Sequence, residues 1–88
     1  MQKIKHKFSN MLDIPKDVLL DLPKITMIGD IQVYIENHKG IIEYTSNLVR
    51  ISTALGQLVL IGEGLVLRNI GLEEIYLDGR IMEIKFER

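Results

Sequence analysis

Glu74-Ile75-Tyr76-Leu77-Asp78-Gly79-Arg80-Ile81-Met82-Glu83-Ile84-Lys85-Phe86-Glu87 is the stretch that decides the fold. Ile75 and Leu77 alternate with Glu74, Tyr76 and Asp78, and Met82, Ile84 and Phe86 alternate with Glu83, Lys85 and Glu87. A period of two sends one set of side chains to a core and the other to water, which is the signature of a half-buried strand. Asp78-Gly79 tolerates positive φ and is hairpin-sized, so the stretch reads as strands 74–78 and 81–87 joined by a tight turn.

The same alternation runs upstream as far as Lys24. Ile31, Val33 and Ile35 alternate with Gln32, Tyr34 and Glu36, and Val49 and Ile51 alternate with Arg50 and Ser52. Between the runs stand Asn37-His38-Lys39-Gly40, Ser46-Asn47, Gly56 and Gly62-Glu63-Gly64, all turn-forming residues. The spacing predicts eight short strands over 24–28, 31–36, 41–45, 48–53, 57–61, 65–69, 74–78 and 81–87. They group into four hairpins that repeat about every 17 residues. Gln57–Leu65 aligns with Glu74–Ile81 once one residue is dropped after the Gly, and Ile25–Val33 is a looser copy around Gly29-Asp30. The expected fold is therefore all-β, a small sandwich or barrel-like meander, with a short β-solenoid as the alternative. Two-residue connections favour the meander. Leu58-Val59-Leu60-Ile61 is apolar on both faces and predicts a central strand covered on both sides. A helix over 15–21 and a second copy of the chain are the candidate covers.

Ahead of the strands the pattern is helical. Ile4, Phe8, Met11 and Leu12 fall at i, i+4, i+7 and i+8 among Lys3, Lys5 and Lys7, which makes an amphipathic N-terminal helix. These seven residues are candidate contacts for an anionic membrane or a partner groove. Pro15 opens a further helical turn or two carrying Val18 and Leu19, and Pro23 stops it. The chain thus divides into a basic amphipathic segment with a short helix, 1–22, and a β-domain, 23–88.

Composition excludes more than it identifies. The 88 residues, 47% hydrophobic and without Cys or Trp, leave room for one domain and none for a dinucleotide-binding fold, a kinase or a (β/α)₈ barrel. A net charge of −1 argues against nucleic acid as a partner. No apolar run approaches a membrane span, so the expectation is a cytoplasmic or membrane-peripheral chain. His6 and His38 have no neighbours at metal-ligand spacing, and no metal or cofactor is expected. His38 beside Glu36 could serve as a general base, but a turn explains Asn37-His38-Lys39-Gly40 with fewer assumptions. Glu73 and Glu74 point to opposite faces of a strand, Glu36 and Glu43 lack a cleft, and Ser9, Ser46 and Ser52 lack a nucleophile elbow. No catalytic constellation is present, and a non-enzymatic chain without a small-molecule substrate is expected. Tyr34, Tyr44 and Tyr76, with Arg50 and Arg68, are the candidate interface residues, because Tyr and Arg anchor protein contacts. Cross-strand pairing of Tyr on an exposed sheet explains the same residues as well. An open sheet in a small chain has edges to cover, so self-association is expected. A domain binding a small ligand or glycan on the Tyr face is the alternative.

Leu22-Pro23-Lys24-Ile25-Thr26-Met27-Ile28-Gly29, Ile35-Glu36-Asn37-His38-Lys39-Gly40-Ile41, Val49-Arg50-Ile51-Ser52-Thr53 with Gly56-Gln57-Leu58, Leu65-Val66-Leu67, Glu74 to Ile81 and Ile84-Lys85-Phe86 together resemble the YabP/YqfC family of sporulation proteins, nearer its YqfC branch. The resemblance runs in order over roughly residues 10 to 88, and Ile-Glu-Asn-His-Lys-Gly is its most specific part. It implies a non-enzymatic structural or assembly protein made in the mother cell of an endospore-former and tied to the spore envelope. It implies no catalytic residue and no cofactor. The expected partners are further copies of the chain and a membrane-bound sporulation protein, near a membrane or the forespore surface.

Overall fold

The computed structural model describes residues 16–68 and 70–88. Six strands form one antiparallel sheet: β1 (Lys24–Ile28), β2 (Gln32–Glu36), β3 (Gly40–Tyr44), β4 (Leu48–Thr53), β5 (Gly56–Arg68) and β6 (Glu74–Glu87). Their order across the sheet is β1-β2-β6-β5-β4-β3, so β1 and β3 are its outer strands and the sheet is not a closed barrel. The all-β expectation holds; the eight strands do not. Strands expected at 57–61 and 65–69 are one strand, and so are those expected at 74–78 and 81–87. Consecutive strands pair at β1–β2, β3–β4, β4–β5 and β5–β6, but β2 pairs with β6 instead of β3, so the sheet is not a simple meander. Antiparallel pairing throughout also removes the solenoid.

The glycines taken for turns are bends. Gly62-Glu63-Gly64 and Gly79-Arg80 lie opposite each other in the long β5–β6 hairpin, where the register shifts between Ile61 and Gly62 and between Glu63 and Val66. A Cβ on Gly79, at φ +138°, would sit 2.7 Å from the Gly64 carbonyl and 3.0 Å from the Leu65 Cα, and a Cβ on Gly62 would collide with the Arg80 carbonyl. The two strands touch backbone to backbone here and bend together, as bulged ribbons do.

That bend turns one sheet into two facing halves. The first half holds β1, β2, residues 74–78 of β6 and residues 66–68 of β5; the second holds β3, β4, residues 57–61 of β5 and residues 83–87 of β6. Val33, Ile35, Ile75 and Leu77 of the first half and Val49, Ile51, Leu58 and Leu60 of the second are all 0% exposed and share one core cluster with Leu65 and Ile81. A single sheet cannot exclude water from its own face, so this burial requires each half to cover the other. Each such side chain contributes on the order of 1.5–3 kcal/mol.

Of the repeat read in the sequence, the match of Gln57–Leu65 with Glu74–Ile81 has a counterpart in the two halves, whereas Ile25–Val33 is the β1–β2 hairpin and not a third copy. Val33 faces Leu77 and Ile35 faces Ile75 in one half, as Val49 faces Leu60 and Ile51 faces Leu58 in the other. The β1–β2 turn is held by Gly79 and Ile81 donating to the carbonyls of Ile31 and Asp30, at 3.1 and 2.7 Å. The β3–β4 turn is held in the same way by Gly62 and Leu65 on Asn47 and Ser46, at 3.0 and 2.8 Å.

The segment Leu58–Ile61 is central, as expected, but the helical turn Lys16–Leu19 is not what covers it. The outward Val59 is 1% exposed between Arg50 and Lys85, whose aliphatic stems lie on either side of it in register. Before β1 there is a single helical turn, Lys16–Leu19, closed by Asp21 at φ 56°. Leu19 and Leu20 are 62% and 59% exposed, so the N-terminal helix expected as a layer of the fold is not supported. The amphipathic stretch with Lys3, Ile4, Lys5, Lys7, Phe8, Met11 and Leu12 lies outside the described residues.

Candidate functional site

Cross-strand register assembles the first outward surface. Tyr34 and Tyr76 are directly opposed on β2 and β6, and their rings stack with centroids 4.4 Å apart and an 18° interplanar angle. Arg68 of β5 is opposite Tyr76 and forms an ion pair with Asp78, whose other oxygen accepts from the Gln32 amide at 2.9 Å. Loss of water around the ring pair, with the Glu74 and Glu36 carboxylates alongside, raises the Tyr34 hydroxyl above its usual range. This patch is aromatic at its centre and polar at its rim.

The five candidate interface residues do not form one surface. Tyr34, Tyr76 and Arg68 share the outer face of the first half-sheet. Arg50 lies on the outer face of the second, where its guanidinium contacts Glu87 Oε1 at 2.6 Å, Glu43 Oε1 at 3.3 Å and Gln57 Oε1 at 3.2 Å. Its hydrogen bond to Glu87 pulls that carboxyl below the usual carboxylate range, and Glu87 in turn raises the affinity of Arg50 for its proton. Tyr44 is 47% exposed but shares neither outer face. It faces Val49 on the core side of β3, and its hydroxyl reaches the other half-sheet, donating to the Leu65 carbonyl at 3.2 Å and accepting from the Leu67 N–H at 3.3 Å. The hydroxyl therefore pins one open side of the fold.

Asn37-His38-Lys39-Gly40 connects the two half-sheets and is not the hairpin turn expected from its residues, since β2 and β3 are not neighbours. Positive φ at Asn37 (62°) and Gly40 (136°) gives the chain the reversal it needs. The His38 ring is 6% exposed and accepts from the Gly40 N–H at Nδ1, 3.0 Å, which leaves the ring proton on Nε2. Nε2 is buried with no hydrogen-bond partner among the described residues. This placement makes His38 a structural part of its loop. The loop also holds the chain entering β1: Asn37 Nδ2 donates to Asp21 Oδ1 and to the Leu22 carbonyl, each at 3.0 Å, and Lys39 Nζ contacts Asp21 Oδ1 at 2.9 Å. Hydrogen bonds from Lys39 and then Asn37 hold the Asp21 carboxyl below its usual range. Reading by strands missed this clasp, because Asp21 looked like the end of a helix.

Those loop residues and the β-domain around them decide the family. A model of the YabP family matches residues 21–88, from the clasped Asp21 to the end of β6. The chain belongs to the YabP family. It is also 39% identical over 84 residues to YqfC of Bacillus subtilis (strain 168), a match that covers 96% of this chain and 90% of that one. No solved structure matches it. In this YabP-family chain the matched span contains every described strand, both outward surfaces and the Asp21 clasp. Among the described residues no group of three or more His, Asp or Glu is placed to hold a metal, and no helix is long and apolar enough to cross a membrane.

Proposed function

We propose that this YabP-family chain is a non-enzymatic assembly module in building the spore envelope, working through contacts with other proteins in the mother cell. One observation supports this most: the fully buried inward side chains of both half-sheets are aliphatic, and among the described residues buried Thr53 and the Nδ1 of buried His38 bond within their own loops. Specific chemistry is thereby left to the surface, where aromatic and charged residues stand on rigid strands. Membership in the YabP family supports the sporulation setting. Binding a small ligand or glycan would draw on open ring faces, whereas Tyr34 and Tyr76 have turned one face each to the other. The basic residues 1–16, four Lys against one Asp, suit a place beside an anionic membrane.

Crosslinked pull-down of the tagged chain from sporulating cells, combined with deletion of its gene in the same host, tests the proposal. The expected result is stoichiometric recovery of an envelope or membrane protein and a defective spore envelope on deletion. Normal spores together with no stoichiometric partner would refute it. Anionic vesicles added to chains with and without residues 1–12 test the membrane part, and equal failure to bind refutes that part alone.

A further inference from the structure

Every strand edge on this fold leaves backbone groups without a partner, and the edges differ in how they are protected. β3 is broken by a bulge at Ile42, and residues 66–68 of β5 are short, with the Leu67 N–H already taken by the Tyr44 hydroxyl. β1 begins directly after Pro23 and carries one charge, Lys24. Residues 83–87 of β6, just past the irregularity at Met82, carry the charges of Glu83, Lys85 and Glu87 but no bulge, proline or side-chain cap on their edge groups. Residues 83–87 pair with β5 on one side and with nothing described on the other.

The register tells which groups are free. Gly62 N–H points to the β4 side, where it meets Asn47. Alternation along β5 then aims Ile61, Val59 and Gln57 at β6, where they pair with Glu83, Lys85 and Glu87. The N–H and C=O of Ile84 and Phe86 therefore point outward from the edge. On the side-chain faces, Glu83 and Lys85 stand toward water, whereas Ile84 and Phe86 continue the core face, with Phe86 36% and neighbouring Met82 62% exposed.

The geometry points to a second copy of this chain as the occupant of that edge, paired antiparallel about a two-fold axis at Ile84. In this register each Ile84 exchanges both backbone hydrogen bonds with its counterpart, and Glu83 faces Lys85 of the second copy twice over. Phe86 comes beside Met82 of the second copy, and the second half-sheets join into one sheet across the axis. Charge selects this register. An axis at Lys85 would oppose Lys85 to itself and Glu83 to Glu87, and like charges directly across strands repel. An axis at Phe86 would set Ile84 against Arg88 and would need Glu87, which Arg50 already holds at 2.6 Å. Lys85 is available, since its contacts to Glu83 and Glu87 on its own strand are loose, at 3.8 and 3.9 Å. No two-fold axis along β1 offers opposite charges, because Lys24 is its sole ionisable residue.

This inference rests on the assembly reading only in supplying its first contact. Sedimentation equilibrium of the full chain from micromolar to millimolar concentration should show a monomer–dimer equilibrium. Lys85→Glu and Glu83→Lys should each weaken association by about tenfold or more, since each replaces two attractive pairs with two repulsive ones. An equimolar mixture of the two variants restores Lys-to-Glu pairing at both positions and should dimerise like the wild type, as should the double exchange. Unchanged thermal unfolding of each variant at low concentration, where the wild type is also a monomer, confirms that the fold is intact. A monomer at every concentration, a dimer indifferent to Lys85→Glu, or single variants that fail to pair with each other would each overturn the proposal. A monomeric chain that still recovers its partner from sporulating cells would overturn the dimer and leave the assembly reading standing.

Discussion

Gly79→Ala is expected to cost far more than Gly64→Ala, although the two positions lie on the same bend. At Gly64 the backbone is left-handed, φ +61°, and an added Cβ meets nothing within 4 Å. An L-residue there costs about 1–2 kcal/mol, of which the lost freedom of the unfolded chain returns about 0.4–1. At Gly79, φ is +138° and the Cβ would press on the Gly64 carbonyl at 2.7 Å and the Leu65 Cα at 3.0 Å. The conformational strain is about 1–3 kcal/mol, and moving packed backbone aside adds about 1–3 more. The total is roughly 2–6 kcal/mol, against a stability on the order of 4–13 kcal/mol for a chain of this size. Urea and thermal unfolding of both variants would measure the difference. Gly79→Ala should lower the melting temperature by about 8 °C or more, and Gly64→Ala by a few degrees. Equal losses at the two sites would refute the argument that backbone contact at Gly79 is what lets β5 and β6 bend together.

Further outcomes follow from the same contacts. Leu60→Ala, at a fully buried side chain, should cost about 2–5 kcal/mol in denaturant unfolding, whereas Leu72→Ala at a 98% exposed one should stay within about 0.5 kcal/mol. Tyr44→Phe removes the bonds to Leu65 and Leu67 and should cost about 0.5–1.5 kcal/mol, with faster hydrogen exchange at the Leu67 amide as the local readout. The carboxyls of Asp21 and Glu87 titrate lower in the fold than in the free chain, so their contribution is present above about pH 4 and is lost as pH falls through their folded values. Unfolding midpoints followed from pH 6 down to pH 2 should therefore fall more steeply for the wild type than for Asp21→Asn or Glu87→Gln; parallel curves would discount both contacts.

Alternation along the chain was enough to show an all-β fold, the inward faces of β2, β4 and the first part of β6, and two stretches that copy one pattern. Those properties are local: alternation follows from side chains on a pleated backbone, and it survives whatever the strand pairs with. The limits of β1 and β4 were legible for that reason. The Asn-His-Lys-Gly loop was legible as a reversal, and as the most specific part of the family resemblance. The tertiary structure alone decided whether Gly62 and Gly79 end a strand or bend one. A glycine permits both, and the choice depends on the backbone that approaches it from the opposing strand. The same distance in sequence hid the pairing of β2 with β6, the inward turn of Tyr44 toward Leu65 and the separation of Arg50 from Tyr34 and Tyr76. Which side chains share a surface is settled by how the bent hairpin folds the sheet over its own core, and no window of neighbouring residues contains that information.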